Sequence, residues 1–358
     1  MKNVCFVITS MGGGGAERNV SLLANSFCQN GHKVHLFLLF NNTVSYDIND
    51  KIQVYLSKPN GNNKFSNIIG WKKDLKKYCK ENNIDTVIGI GIKYGTICAY
   101  ALKSIKNINL IVRGTSTYKL SILEKIAVFL FGGRINKFVC QTVAQSKSIP
   151  NRLSEKSVVI SNPFETYDTN NNTNGFLSKK FICVGRLKLG SKKQDNIIDA
   201  FSAFNSDEKF QNYSLHFYGD DCDNGKTLTY LKTKVKELKL ENVCFHPFCS
   251  DIKKQICGST AFICCSVAEG MPNALIESMM LGIPVISSDW KGSEEIVVNG
   301  KNGYIFGNYN DINGLSSFMK LVAELTEAEY SSLSDSAFSL NKENYSLNKI
   351  VSTWESIL

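Results

Sequence analysis

Three clusters in the sequence combine residue types that do chemistry at spacings that let them act together. The sharpest is SVAEGMPNALIESMM, in which Glu269 and Glu277 stand eight positions apart and Gly270-Met271-Pro272-Asn273 follows the first. An apolar run ends at Ser266, so the segment reads as strand, loop and helix. Pro272 falls near the first helical turn, where a missing N–H costs nothing. A carboxylate near a helix N-terminus is favoured by the dipole, and carboxylates accept hydrogen bonds from the hydroxyls of a sugar or a ribose. The second cluster, FICVGRLKLGSKKQD, sets Arg186 and Lys192 on a loop after another apolar run. Arginine grips two phosphate oxygens at once and lysine adds a point charge, so the pair suits a diphosphate. The third, MGGGGAER, spans Met11–Arg18. Its glycines let the backbone turn sharply and approach a ligand, and the helix that follows offers N–H groups to an anion. It is not a dinucleotide fingerprint, because the third glycine position falls on Glu17. Taken singly, each cluster also reads as ordinary structure: a capped helix with one buried Glu, two solvated cations, a tight turn.

The elements around these clusters follow one rhythm. Val4–Thr9, Val34–Phe40, Thr86–Ile90, Leu110–Val112 and Phe138–Gln141 are short, continuous, β-branched or aromatic runs, as expected of strands covered on both faces. Helical stretches such as Ala16–Asn30 and Ile68–Asn82 separate them, which implies a parallel sheet with helices on both sides. An asparagine-rich segment with a proline and a glycine, SNPFETYDTNNNTNGFLSKK, reads as a linker. The rhythm then restarts with Phe181–Val184, Ser214–Tyr218, Val243–Phe245, Ala261–Cys265 and Pro284–Ser287, and closes on helical patterns at Ile312–Leu325 and Leu347–Leu358. Two doubly wound domains are the economical reading, with ligands at the C-terminal ends of strands and the site expected in the cleft between domains.

Bulk properties narrow the classes. The chain has 358 residues, 43% hydrophobic and 20% charged, too long for one domain of typical size and far from disorder. No run of about 20 apolar residues is present, and the N-terminus reads as a first strand in place of a signal peptide. Twelve cysteines lie mostly in apolar runs without a C-x-x-C, which suits buried thiols in a reducing cytosol. The four histidines, His32, His35, His216 and His246, offer no metal-ligand spacing. Residues 1–165 carry 22 Lys and Arg against 9 Asp and Glu, a balance of +13, whereas the remainder carries 19 against 23. This asymmetry suits an anionic membrane surface or a phosphate-bearing acceptor, or else a solvated lysine-rich face. No module with interleaved aromatics points to nucleic acid.

Glu269 and Glu277 with Gly270–Asn273 between them resemble the E-x7-E motif of glycosyltransferase family four, retaining enzymes of GT-B fold. Gly14–Arg18 is similar to that family's GGAE-R loop, and Val184–Leu187 with Lys192 to its V-G-R-L…K element. Gly282–Ile286, Ser293–Ile296 and Asn299–Ile305 are similar to the segments that follow, so the resemblance covers nearly the whole chain. It implies an α/β GT-B architecture of two Rossmann-like domains facing across a cleft: residues 1–163 for the acceptor, 178–340 for the nucleotide-sugar, and 341–358 as a helix returning to the first domain. It implies that Arg186 and Lys192 bind the donor diphosphate and stabilise the leaving nucleotide, that Glu277 holds the ribose hydroxyls, and that Glu269 faces the donor sugar. The spacing from Arg186 to Lys192 is longer than is usual in that family, which leaves Lys193 as a competitor for the phosphate role. Glu269, Arg186 and Lys192 are thus the catalytic set. The backbone of Gly270, Met271, Asn273 and Ala274 would meet sugar hydroxyls or phosphate, and Gly14 and Gly15 would close over the diphosphate.

Many relatives carry a histidine after the strand corresponding to Leu110–Val112. Here IVRGTSTY places Arg113 there, a group implied to contact donor or acceptor but unable to act as a base at neutral pH. Asp221-Cys222-Asp223 spells D-x-D, the metal motif of the other large glycosyltransferase fold; its setting after a strand reads as a turn. The resemblance therefore implies a metal-independent, cofactor-free retaining glycosyltransferase. It would move a hexose or N-acetylhexosamine from a nucleotide-diphosphate sugar, with UDP expected, to a glycan or lipid-linked bacterial surface-polysaccharide acceptor. The expected location is cytoplasmic, peripheral on the inner face of the membrane, without nucleic acid as a partner. A sugar-nucleotide epimerase of the same fold would need an acid/base constellation that the sequence does not display. A non-catalytic partner subunit would be expected to have lost Arg186, Lys192 or Glu277.

Overall fold

Runs such as VCFVI and TVIGI carry no ionisable group except a thiol, so the strands they form must be covered on both faces. The computed structural model describes residues 1–58, 64–115, 120–166, 175–249 and 251–358. The chain divides into two units, Met1–Pro163 with Leu347–Leu358, and Phe164–Ser346. Much of the stretch read as a linker, residues 167–174, lies outside the described residues.

The first unit runs β1 (Asn3–Ile8), α1 (Gly15–Gln29), β2 (Lys33–Leu38), β3 (Gln53–Leu56), α2 (Lys64–Glu81), β4 (Thr86–Ile90), α3 (Ile92–Ala101), β5 (Asn109–Arg113), α4 (Ile122–Phe131), β6 (Lys137–Cys140), α5 (Val143–Ser146), α6 (Asn151–Ser154) and β7 (Ser157–Val159). Its seven strands lie in the order β3-β2-β1-β4-β5-β6-β7. The pairs are parallel, with Cys5 opposite His35 and Val4 opposite Thr86. Helix α1 buries Val20, Leu23, Ala24 and Phe27, the spacing of one helical face. Helix α3 comes close to the sheet at Gly95, where a Cβ would run into the Val112 side chain.

The second unit runs β8 (Lys180–Val184), α7 (Gln194–Asn205), β9 (Ser214–Tyr218), α8 (Lys226–Glu237), β10 (Val243–His246), α9 (Ile252–Ile256), β11 (Ala261–Cys264), α10 (Asn273–Met279), β12 (Val285–Ser288), β13 (Gly303–Phe306), α11 (Ile312–Ala323) and α12 (Glu327–Tyr345). Its six strands are ordered β10-β9-β8-β11-β12-β13, again in parallel pairs. The expected boundary at residue 340 falls inside α12, which starts at a capping box formed by Thr326 and Glu329. The chain joins the first unit at α13 (Leu347–Glu355). There Ile350, Val351 and Trp354 share a core with Val4, Phe6 and Phe27.

Both sheets reverse direction at one place: from β1 the chain builds outward through β2 and β3, then resumes on the other side at β4. In the second unit the same reversal separates β8 from β11. Loops that leave neighbouring parallel strands toward opposite sides open a crevice at the C-terminal edge. Trp354 is fully buried, so Trp354→Ala removes the largest side chain that α13 contributes. The expected loss is about 3–5 kcal/mol, read as a lower urea midpoint for unfolding of the first unit; an unchanged midpoint would mean that α13 adds nothing to that core.

Candidate active site

In the second unit the crevice lies between the loops that follow β8 and β11, and each carries one of the charged clusters. The β8 loop is held by backbone pairing: Gly185 N–H donates to the Tyr218 carbonyl at 2.9 Å, Leu187 N–H to Asp220 at 2.9 Å, and Cys222 N–H to Leu187 at 3.2 Å. At Gly219, φ is +146° and a Cβ would meet the carbonyl of Gly185, so only glycine lets the two loops approach this closely. The Gln194 side-chain amide donates to the Arg186 carbonyl at 3.1 Å. The backbone of Arg186 is thereby fixed while its side chain stays exposed.

The β11 loop is tied on both sides. Val267 N–H donates to the Ser191 carbonyl at 3.0 Å, which joins it to the β8 loop. Ser266 N–H donates to the Ser288 hydroxyl and that hydroxyl donates back to the Ser266 carbonyl, each at 3.0 Å, which joins it to the end of β12. These ties set Lys192 against Glu269 as an ion pair. Burial alone would weaken the hold of Lys192 on its proton, but the Glu269 carboxylate, with smaller contributions from Cys264 and Cys183, outweighs it and the pKa is raised. Lys193, the other candidate, starts α7 in the left-handed region at φ 45° and extends over the Tyr309 ring, 5.3 Å from its centroid. The two lysines thus point to different neighbours, and Lys192 is the one that faces the acidic loop.

Gly270, Met271 and Pro272 are buried, Asn273 and Ala274 open α10, and Glu277 lies one turn further, 5% exposed. The segments after α10 build scaffold. Asn302 is buried, accepts from Val298 N–H at 2.7 Å and donates to the Ile296 carbonyl at 3.0 Å. Asn299 accepts from Ile305 N–H at 2.9 Å. Trp290 donates its indole N–H to the Ser287 hydroxyl at 3.1 Å. The Asp221 carboxylate accepts from the backbone N–H groups of Leu228 at 2.6 Å and Gly225 at 3.2 Å. Those donors, Leu228 first, hold its pKa below the usual carboxylate range, so this aspartate of the D-x-D string caps a turn.

In the first unit the loop after β1 is braced by a segment the sequence did not single out. Gly14 N–H donates to the Tyr46 hydroxyl at 3.0 Å, and that hydroxyl donates to the Gly14 carbonyl at 2.9 Å. Gly14 is extended at φ −175°, and the end of the Glu17 side chain folds against it where a Cβ would displace the carboxylate. An anion at this helix N-terminus would therefore meet Glu17 first. Gly15 opens α1 and is exposed. Arg113, expected near donor or acceptor, is 1% exposed, and its guanidinium donates to the Asn162 amide oxygen. Gln141 donates to the same oxygen at 3.1 Å, so Arg113 belongs to a buried polar network.

The histidines correct one expectation. Parallel pairing of β9 and β10 sets Cys244 opposite His216 and His246 opposite Tyr218, so His216, Cys244 and His246 offer ligand atoms within 4.8 Å of one another. Spacing along the chain could not reveal this, because strand register makes the neighbours. The two imidazoles hydrogen-bond at 3.0 Å. Burial, then His246 and Lys180, push His216 down to about 4, and burial with Lys180 also lowers His246. The pair is therefore neutral near pH 7, and the adjacent ammonium opposes a further cation.

Glu269→Gln tests the ion pair directly. With the carboxylate gone, burial loses its main opponent and the Lys192 pKa falls, so its neutral amine fraction rises at pH 8. Acetylation of Lys192 relative to exposed Lys77, followed by mass spectrometry at pH 8, should accelerate in the variant; an equal or slower rate would contradict the pairing.

The family model for group 1 glycosyl transferases matches residues 170–331, which contain both charged loops. An uncharacterized glycosyltransferase of Haemophilus influenzae is 23% identical over 367 residues, covering 100% of both chains. A Campylobacter jejuni α-1,4-N-acetyl-D-galactosaminyltransferase, named for a GalNAc-GalNAc-diNAcBac-PP-undecaprenol, is 23% identical over 333 residues, 90% of this chain and 89% of its own. Anabaena HepE, solved in complex with UDP, superposes with a TM-score of 0.82 at 16% identity, over 99% of this chain and 98% of that one. Residues 170–331 thus belong to the group 1 glycosyl transferases, and two parallel sheets with alternating helices give the whole chain the GT-B fold of its solved neighbours, with similarity along its length to bacterial polysaccharide glycosyltransferases.

Proposed function

We propose that the chain is a metal-independent, retaining glycosyltransferase that moves a hexose or N-acetylhexosamine from a UDP-sugar to a lipid-linked glycan acceptor. The observation that carries this reading is the meeting of Lys192 and Glu269 across the order reversal of the second sheet. Exposed Arg186 stands on the same loop and buried Glu277 on the helix behind. Breakage of the sugar–phosphate bond leaves charge on the nucleotide diphosphate, and Arg186 and Lys192 are the cations that would stabilise it. Glu277 accepts the ribose hydroxyls. A phosphate that draws Lys192 toward itself leaves the Glu269 carboxylate to accept sugar hydroxyls, so one exchange serves both ends of the donor. Attack on the face that the phosphate leaves lets a phosphate oxygen take the acceptor hydroxyl's proton, which requires no protein base. The UDP held by Anabaena HepE supports the choice of nucleotide. The name of the Campylobacter relative supports a polyprenyl-diphosphate-linked acceptor, and with it a place at the inner face of the membrane.

Nucleotide release from UDP-sugars tests the reading. Arg186→Ala and Lys192→Ala should lower turnover by about 10²–10³. Glu277→Gln should weaken donor binding by about 1.5–3 kcal/mol, and Asp223→Ala should leave activity near that of the parent. Activity should survive excess EDTA. Loss in chelator that manganese or magnesium restores, or full activity without Arg186 and Lys192, would overturn the cation-clamp mechanism.

A further inference from the structure

Helix α4 of the first unit is apolar on both sides. Val128 is buried, and Phe131 meets the Tyr100 ring with centroids 4.9 Å apart. On the opposite side Ile122, Leu123, Ile126, Phe129 and Leu130 are 76, 78, 49, 69 and 56% exposed. Their offsets of one, four, seven and eight from Ile122 place them in one stripe along the helix. Scattered exposed apolar residues are ordinary, but a contiguous stripe of five marks a contact surface. The helix is held in shape without help from that stripe: Ser121 and Glu124 close a capping box at its start. At its end the Lys156 ammonium donates to the carbonyls of Gly133 at 2.9 Å and Ile135 at 2.7 Å.

What borders the stripe identifies its occupant. Lys125 is exposed within the helix. The Arg152 guanidinium lies over the Phe129 ring, 5.6 Å from its centroid. Lys156 closes one end, and the Lys72 ammonium sits 3.7 Å from the centre of the Tyr100 ring that meets Phe131. The carboxylates nearby are Glu124, engaged in the cap, and Glu155, whose field on Lys156 is outweighed by burial and Arg152. Over residues 1–165 the balance is +13. Apolar side chains rimmed by cations match an anionic lipid surface, where the stripe reaches the acyl boundary and each cation meets headgroup phosphate. At ten residues α4 is about 15 Å long, and no described helix is long and apolar enough to cross a membrane. It must therefore lie in the plane of the surface.

We propose that α4 is the element by which this chain docks on an anionic lipid bilayer, with its outer stripe inserted and Lys72, Lys125 and Arg152 on the lipid phosphates. The proposal goes beyond the transferase reading and rests on it only for its purpose, which is access to a lipid-linked acceptor.

The test is co-sedimentation of the full chain with vesicles of phosphatidylglycerol and phosphatidylcholine, or of phosphatidylcholine alone. The wild type should prefer the anionic vesicles and detach as salt rises. Leu123→Asn/Phe129→Asn/Leu130→Asn should weaken binding at least about a hundredfold, since each large apolar side chain returned to water costs roughly tenfold. Its thermal midpoint and its release of UDP from a UDP-sugar without vesicles should match the parent. Native Trp71, Trp290 and Trp354 are buried, so Phe129→Trp adds an exposed reporter whose emission should shift to the blue on anionic vesicles. Undiminished binding by the triple variant, an unshifted Phe129→Trp, or equal binding to neutral vesicles would overturn the proposal. So would a wild-type dimer that the triple variant dissociates, since a second copy would then cover the stripe. Absence of donor turnover in the parent would count against the transferase reading alone and leave the vesicle result standing.

Discussion

A parallel sheet sends every strand's following loop to one edge, and where the strand order reverses, two neighbouring loops diverge and leave room between them. The candidate site depends on this constraint. Because β8 and β11 are adjacent while their crossovers leave in opposite directions, Lys192 and Glu269, 77 positions apart in sequence, come into contact. The rest of the second unit secures that meeting. Gly219 lets the β8 and β9 loops touch, the Ser266–Ser288 exchange fixes the β11 loop, and the bond from Val267 to Ser191 joins the two sides.

The electrostatics of the meeting place follow from the same geometry. A partly buried ammonium is costly unless a carboxylate compensates it, and Glu269 supplies most of the compensation that keeps the Lys192 proton in place. On the proposed reading the donor diphosphate exchanges into this pair, so the cation keeps an anionic partner throughout and Glu269 gains hydroxyl donors. Arg186 differs: its backbone is fixed and its side chain exposed, as suits a group that closes on phosphate after the donor arrives. The first unit's glycine loop shows a similar economy, since Glu17 already lies against Gly14 at the start of α1.

Much of this was legible in the sequence, and the reasons differ by element. Central strands announced themselves because burial on both faces leaves unbroken apolar runs, as in VCFVI. The charged loops stood out because their motifs together resemble those of family-four glycosyltransferases, while each alone also reads as ordinary structure. Strand β3 (QVYL) was not, because an edge strand of four half-exposed residues has no such run. Helix α12 escaped because serines and charges blur its periodicity, and α4 because a helix apolar on both sides has no polar face to mark it. Contacts set by register or by long loops lay out of reach. The His216–His246 pair depends on which strands are neighbours, and Tyr46 reaches Gly14 across 32 positions. Arg113, for which the resemblance implied a donor or acceptor contact, hydrogen-bonds in a buried network with Asn162 and Gln141, partners that lie 49 and 28 positions away and that no local pattern announces.

The central claim is that the donor's diphosphate binds at the reversal point of the second sheet. Difference electron density from crystals soaked with UDP in the presence of EDTA tests it most directly. The account predicts phosphate density within hydrogen-bonding distance of Lys192 Nζ and the Arg186 guanidinium, with the ribose hydroxyls on the Glu277 carboxylate. Density for the nucleotide at Asp221 and Asp223, or against the glycine loop of the first unit with Lys192 still paired to Glu269, would contradict it.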